Sequence, residues 1–139
     1  MSARRYFGTD GIRGVAGQPP LTPGFVVRLG RALGQLRPGR VVIGVDTRAS
    51  SPALRGAMIA GLVAEGAEVI DVDVLPTPAV ANEVIRREAA AGVMITASHN
   101  PYRDNGIKIF GPDGTKLDDE DELRIEAMVD GIDPDQRRI

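Results

Sequence analysis

No cysteine occurs in the 139-residue chain, which excludes a disulfide framework and a thiolate metal site. Histidine is almost as scarce, since His99 is the only one; a second imidazole base is therefore excluded. Charge of one sign is lacking too. With 17 Lys and Arg against 19 Asp and Glu the net charge is −2, and no basic block offers nucleic acid a patch. No apolar run is long enough to span a bilayer, and the opening MSARRYFG has two arginines but no apolar stretch of a secretory leader. Repeats and low-complexity segments are absent. What remains is an ordinary globular composition, 42% hydrophobic and 26% charged. The length fits one domain that buries a core without staples. The expectation is a soluble, cytoplasmic protein with neither a nucleic-acid nor a membrane partner.

Apolar periodicity supplies the elements. Thr22-Pro23 reads as N-cap and first helical position, followed by Phe25, Val26, Leu29, Leu33 and Leu36 at helical spacing. Ser51-Pro52 starts a second helix by the same device, with Leu54, Met58 and Leu62 as its buried stripe and Gly66 as its stop. A third helix is expected over 79–88. A fourth is led by the acids of 118–122, which suit the helix dipole, and carries Leu123, Ala127 and Met128. Strands are expected over 41–45, 69–75, 92–97 and 107–110. Strand–helix alternation predicts an α/β fold, three-layer α/β/α with a four-stranded mixed sheet. The last strand is expected to run antiparallel, because about nine residues precede it and a parallel crossover needs roughly a dozen or more.

The polar knot in VMITASHNPYRDNGIKIF, residues 93–110, is the first chemical candidate. Ser98 follows a buried strand, at the edge where open α/β sheets bind ligands. It reads either as a turn residue or as a nucleophile. A Ser–His–Asp hydrolase fails on geometry, since adjacent residues in extended chain point to opposite sides, and the nucleophile-elbow glycines are absent. His99 then reads as a loop anchor or ligand contact. Lys108 returns on the next strand toward the Ser98 loop. In the opening, Gly8, Gly11 and Gly14 surround Arg13, so backbone N–H groups could converge on an anion beside a guanidinium fork. Asp71 and Asp73 share a strand face and suggest either a metal pair or, better, the solvated side of an edge strand. Arg48, after Asp46-Thr47, either holds a carboxylate or pins the serine loop.

FGTDGIRG at 7–14, VDTR at 45–48, PTPAV at 76–80, TASHNP at 96–101 and NGIKIF at 105–110 stand in the order and spacing of the first domain of the α-D-phosphohexomutases. The chain resembles that family over nearly its whole length, and the opening looks most like the phosphoglucosamine branch. The resemblance implies that Ser98 carries a phosphoryl group and presents an oxygen to Mg²⁺. It implies that Arg13, Lys108 and His99 complete the catalytic set, and that Thr9, Asp10, Gly11 and Asn100 contact substrate or phosphate. It implies a hexose or hexosamine phosphate substrate, with glucosamine 6-phosphate and glucosamine 1-phosphate interconverted through a bisphosphate and a sugar 1,6-bisphosphate as primer. Glucose or mannose phosphate is the alternative, as is a non-catalytic interaction module. Family enzymes have four domains. Residues 1–139 are therefore expected to be a single first domain with later domains absent, inactive alone, receiving the other Mg²⁺ ligands from an absent domain, and pairing as a homodimer.

Overall fold

A computed structural model describes residues 5–132; residues 1–4, part of the opening read for a leader, and 133–139 lie outside the described residues. The elements follow in the order β1 (Ile12–Val15), α1 (Pro23–Leu36), β2 (Arg40–Val45), α2 (Ser51–Ala64), β3 (Glu68–Val74), α3 (Thr77–Arg86), β4 (Ala91–Ile95), β5 (Asp104–Phe110) and α4 (Asp119–Gly131).

Helix starts follow local chemistry. The Thr22 hydroxyl accepts from the Phe25 N–H at 3.3 Å, and the Asp118 carboxylate accepts from the Asp121 N–H at 2.8 Å. Each satisfies an N–H that the helix itself cannot. Ser51 departs from expectation. It lies inside α2, and its hydroxyl donates to Asp46 Oδ1 at 2.8 Å instead of capping.

Five strands form the mixed sheet, in the order β1-β5-β4-β2-β3, so the expected count of four is corrected. The fifth is β1, IRGV, which pairs antiparallel with β5 through Ile12↔Ile107 and Arg13↔Gly106. Four residues with a glycine carry too little alternation to announce a strand; the partner makes it one. β4 and β5 pair antiparallel as the short connection requires, while β2 is parallel to both β3 and β4.

Alternation along the strands sorts the core into two clusters. Val41, Ile43, Val93, Ile95, Ile107 and Ile109 pack with Leu29 and Leu33 of α1, Met58 and Leu62 of α2, and Ile125 and Val129 of α4. Val42, Met94 and Phe110 pack with Val80 and Val84 of α3. Each such side chain contributes about 1.5–3 kcal/mol on full burial. α1 and α2 approach closely at two glycines. A Cβ on Gly61 would lie 2.2 Å from the Val27 carbonyl oxygen and 2.9 Å from the Gly30 Cα.

α4 buries a different stripe from the one expected. Ile125 and Val129 face inward with Asp121, Glu122 and Glu126, whereas Ala127 is exposed. The acids are buried because each has a partner. Arg37 pairs with Asp121 and Lys116 with Glu122. The Glu126 carboxylate accepts the backbone N–H groups of Arg5, Tyr6 and Phe7 at 2.8, 2.7 and 2.9 Å. That three-fold grip fixes the chain just before the Gly8–Gly14 segment.

Candidate functional site

Parallel β2 and β4 end at the same edge of the sheet, where the Asp46 N–H donates to the Ile95 carbonyl at 3.1 Å. Thr96 and Ala97 are buried beyond β4, and the chain then emerges at exposed Ser98 and His99. Ser98 has φ +55°, a left-handed backbone that a residue with a Cβ adopts only when its surroundings impose it. Its N–H donates to Thr96 Oγ1 at 3.0 Å, and its carbonyl accepts from Arg48 Nη2 at 2.8 Å.

Arg48 does both things the sequence left open. Its Nε meets Asp46 Oδ2 at 3.0 Å. Its Nη2 also donates to the Asn100 carbonyl at 3.2 Å, and its Nη1 to those of Pro101 at 2.9 Å and Asp104 at 3.2 Å. A buried guanidinium thus ties a carboxylate and pins the whole serine loop. Asp46 accepts in addition from the Arg48 N–H at 3.1 Å and from Ser51. Burial pushes the Asp46 carboxyl up, but hydrogen bonds from the Arg48 backbone, Ser51, Thr96 and the guanidinium outweigh it and hold the group below its ordinary value of 3.8.

Arg13 comes from the far edge strand. Its Nη2 lies 3.2 Å from Ser98 Oγ and its Nη1 3.3 Å from Asn100 Oδ1. The side chain passes over Gly106, where a Cβ would stand 2.9 Å from Arg13 Cγ and 2.7 Å from the Thr96 carbonyl oxygen. The glycine is what lets a cation from β1 reach the serine.

The other expected residues are placed nearby. Lys108 is paired with Met94, two residues further into the sheet than Gly106, which receives the Thr96 N–H. It lines a cavity of about 210 Å³ together with Thr9, Asp10, Gly11, Thr77 and Lys116. Two N–H groups of the glycine turn are used within it, since Gly8 and Gly11 bond each other at 2.9 and 3.3 Å, and the donor that meets Ser98 is the Arg13 guanidinium. His99 is exposed beside the serine, and Asn100 Nδ2 reaches Asp104 Oδ2 at 3.4 Å. Asp71 and Asp73, on the edge strand β3, hold Arg55 of α2 at 3.6 and 2.7 Å.

Sequence reasoning missed Thr96, Ser51 and Asn105. Asn105 is fully buried and donates to the hydroxyls of Ser50 at 2.8 Å and Ser51 at 3.1 Å. The signal available was a cluster of small polar residues, Ser50, Ser51 and Thr96, just past the ends of two apolar strands.

Residues 4–136 match the family described as phosphoglucomutase/phosphomannomutase, alpha/beta/alpha domain I. The chain is 55% identical over 137 residues to the phosphoglucosamine mutase of Deinococcus deserti, covering 95% of this chain and 31% of that protein. It is 51% identical over 144 residues to the phosphoglucosamine mutase of Sorangium cellulosum, covering 99% and 30%. A solved phosphoglucomutase/phosphomannomutase family protein from Burkholderia thailandensis superimposes with a TM-score of 0.79 at 30% identity, over 94% of this chain and 31% of that one. The chain thus spans about a third of the length of the relatives it matches.

Proposed function

The chain belongs to the phosphoglucomutase/phosphomannomutase family through its α/β/α domain I, and from that premise we propose that it is the phosphoserine domain of a phosphosugar mutase. The observation that carries the reading is the Arg13 guanidinium 3.2 Å from an exposed serine oxygen at the carboxyl edge of the sheet. A cation fixed at that place balances the charge of a phosphoryl group being received or returned. In the step proposed, Ser98 Oγ attacks one phosphorus of a sugar bisphosphate. The Oγ–P bond forms, the bond from phosphorus to the sugar oxygen breaks, and that oxygen leaves with the electron pair. Lys108 is assigned the proton transfers. His99 and Asn100, with Thr9, Asp10 and Gly11 at the cavity, are assigned contacts to sugar and phosphate. The substrate favoured is glucosamine phosphate, on the strength of relatives more than half identical that bear that name.

Magnesium, when bound, neutralises phosphoryl charge, and one oxygen of phosphorylated Ser98 would be its ligand from this chain. Among the described residues no group of three or more His, Asp or Glu side chains could hold the ion, so the reading takes the remaining ligands from elsewhere. The two core clusters, one with α1, α2 and α4 and one with α3, support a three-layer α/β/α arrangement. No described helix is long and apolar enough to cross a membrane; a cytoplasmic setting belongs to the proposal. So does self-association, for which exposed Val63, Val74 and Ile85 are available apolar side chains.

The test is a chimera in which residues 1–139 replace the matching first part of the Deinococcus deserti relative. With glucosamine 1,6-bisphosphate and Mg²⁺, phosphate is expected on Ser98 by mass spectrometry, together with interconversion of the two monophosphates. A Ser98→Ala chimera that keeps its turnover overturns the nucleophile. Turnover by the 139-residue chain alone overturns the proposal that it needs further domains.

A further inference from the structure

Resting on the reading of Ser98 as the phosphoryl-bearing residue, we infer that Asp46 is the positioning residue of the site, gripping the backbone of Ser98 from both sides through Thr96 and Arg48. The Ser98 N–H donates to Thr96 Oγ1 at 3.0 Å, and the Thr96 side chain is one of the groups whose hydrogen bonding holds the Asp46 carboxyl down. The Ser98 carbonyl accepts from Arg48 Nη2 at 2.8 Å, and Arg48 Nε donates to Asp46 Oδ2 at 3.0 Å. One carboxylate therefore anchors both peptide groups flanking the Ser98 Cα.

That double anchorage explains the left-handed φ of +55°. A serine free to choose would relax toward φ below zero, where its Cβ avoids the neighbouring carbonyl. Rotation about the backbone would swing Oγ away from the Arg13 guanidinium, so the strained conformer is the one that aims the oxygen. The Asp46 carboxylate acts on Ser98 through these intermediaries, Thr96 and Arg48. Its Oδ1 accepts from Ser51 and the Arg48 N–H, and its Oδ2 from the guanidinium.

Arg48 is suited to its half of the grip by geometry as well as charge. Its Nε and two terminal nitrogens meet five oxygens, those of Asp46, Ser98, Asn100, Pro101 and Asp104. That matches the five N–H donors of a planar guanidinium; a lysine ammonium has three donors on one atom and cannot reproduce the fork. The side chain is 7% exposed, so water does not compete for those carbonyls.

The experiment compares Asp46→Asn, Thr96→Val and Arg48→Lys with the unaltered chain. Thr96→Val deletes the hydroxyl while keeping shape, which guards against a variant that fails to fold. Two readouts are needed. In the 139-residue chain, NMR follows amide exchange and the HN–Hα coupling of Ser98; in the chimera, phosphoryl loading of Ser98 from glucosamine 1,6-bisphosphate is timed. Ser98 exchange is expected to rise about tenfold or more while the β4 amides stay protected. Loading is expected to slow about tenfold or more with little change in KM, because the nucleophile is misplaced while the sugar still binds. Unchanged Ser98 exchange and coupling in Asp46→Asn and Thr96→Val overturn the grip. A loosened loop with undiminished loading overturns the positioning role. An unaltered chimera that keeps the loop conformation but never loads Ser98 overturns the phosphoserine reading instead, and with it the catalytic half of the inference.

Discussion

Arg13 and Ser98 are separated by 85 positions in the chain, yet a guanidinium nitrogen of one lies 3.2 Å from the hydroxyl oxygen of the other. β5 makes the meeting possible, because it pairs with β1 on one side and β4 on the other. Replacing Arg13 with Ala is expected to slow the chimera's turnover by about 100- to 1,000-fold, the usual cost of removing a charge-stabilising donor. Arg13→Lys should recover part of it. Steady-state kinetics on the three proteins checks this.

Gly106→Ala is expected to act on the same contact from beneath. Its Cβ would stand 2.7 Å from the Thr96 carbonyl oxygen and 2.9 Å from both the Ile12 carbonyl oxygen and Arg13 Cγ. Backbone atoms cannot yield cheaply, so a loss of about 1–3 kcal/mol is expected. Urea denaturation measures it, and activity should fall further than stability explains.

Two glycines of α2 should respond with opposite signs. Gly61→Ala pushes a Cβ to within 2.2 Å of the Val27 carbonyl oxygen and should cost about 1–3 kcal/mol. Gly56 is exposed in the same helix with nothing within 4 Å of an added Cβ, and its change to Ala should add about 0.4–1 kcal/mol. Thermal unfolding of the pair decides it.

The elements legible in the sequence were those whose causes are local. Thr22-Pro23 announces α1 and Asp118 announces α4, because a cap and its N–H lie three residues apart. β1 was not legible, since Ile12–Val15 is a strand only by virtue of β5. The buried stripe of α4 was misread because Glu126 is an acid whose partners, the N–H groups of Arg5, Tyr6 and Phe7, lie some 120 residues away. At the site, Ser98, Arg13 and Arg48 stood out as singular residues. Thr96, Ser51 and Asn105 did not, because short polar side chains at strand ends have no periodic signature.

Glu126→Ala should release the segment before Gly8. It removes the acceptor of three backbone N–H groups and should cost about 1–3 kcal/mol. Limited proteolysis with mass mapping is expected to show earlier cleavage between Arg5 and Gly8 than in the unaltered chain.

Asp46 contributes to the acid limb of stability. Its folded-state value lies below 3.8 because hydrogen bonds to the ionised form outweigh its burial. A lowered carboxyl contributes stability that is fully present above the unfolded value and is lost as pH falls through the folded one. Asp46→Asn is therefore expected to flatten the fall in stability below about pH 4, read from urea midpoints across the acid range.

The strand order has a consequence for the ribosome-bound chain. β2, β3 and β4 are contiguous in the sheet and can pair as soon as they emerge, but β1, although made first, has β5 as its partner. Until residues 104–110 are synthesised, Arg13 has no partner strand to hold it beside Ser98, although the serine has already been made. The first-made strand of this sheet is thus the one that waits longest, and a loop closure across about ninety residues must precede the site. A translation pause placed before β5 would hold a half-sheet whose β4 edge is open, the species most prone to pair with a neighbouring chain.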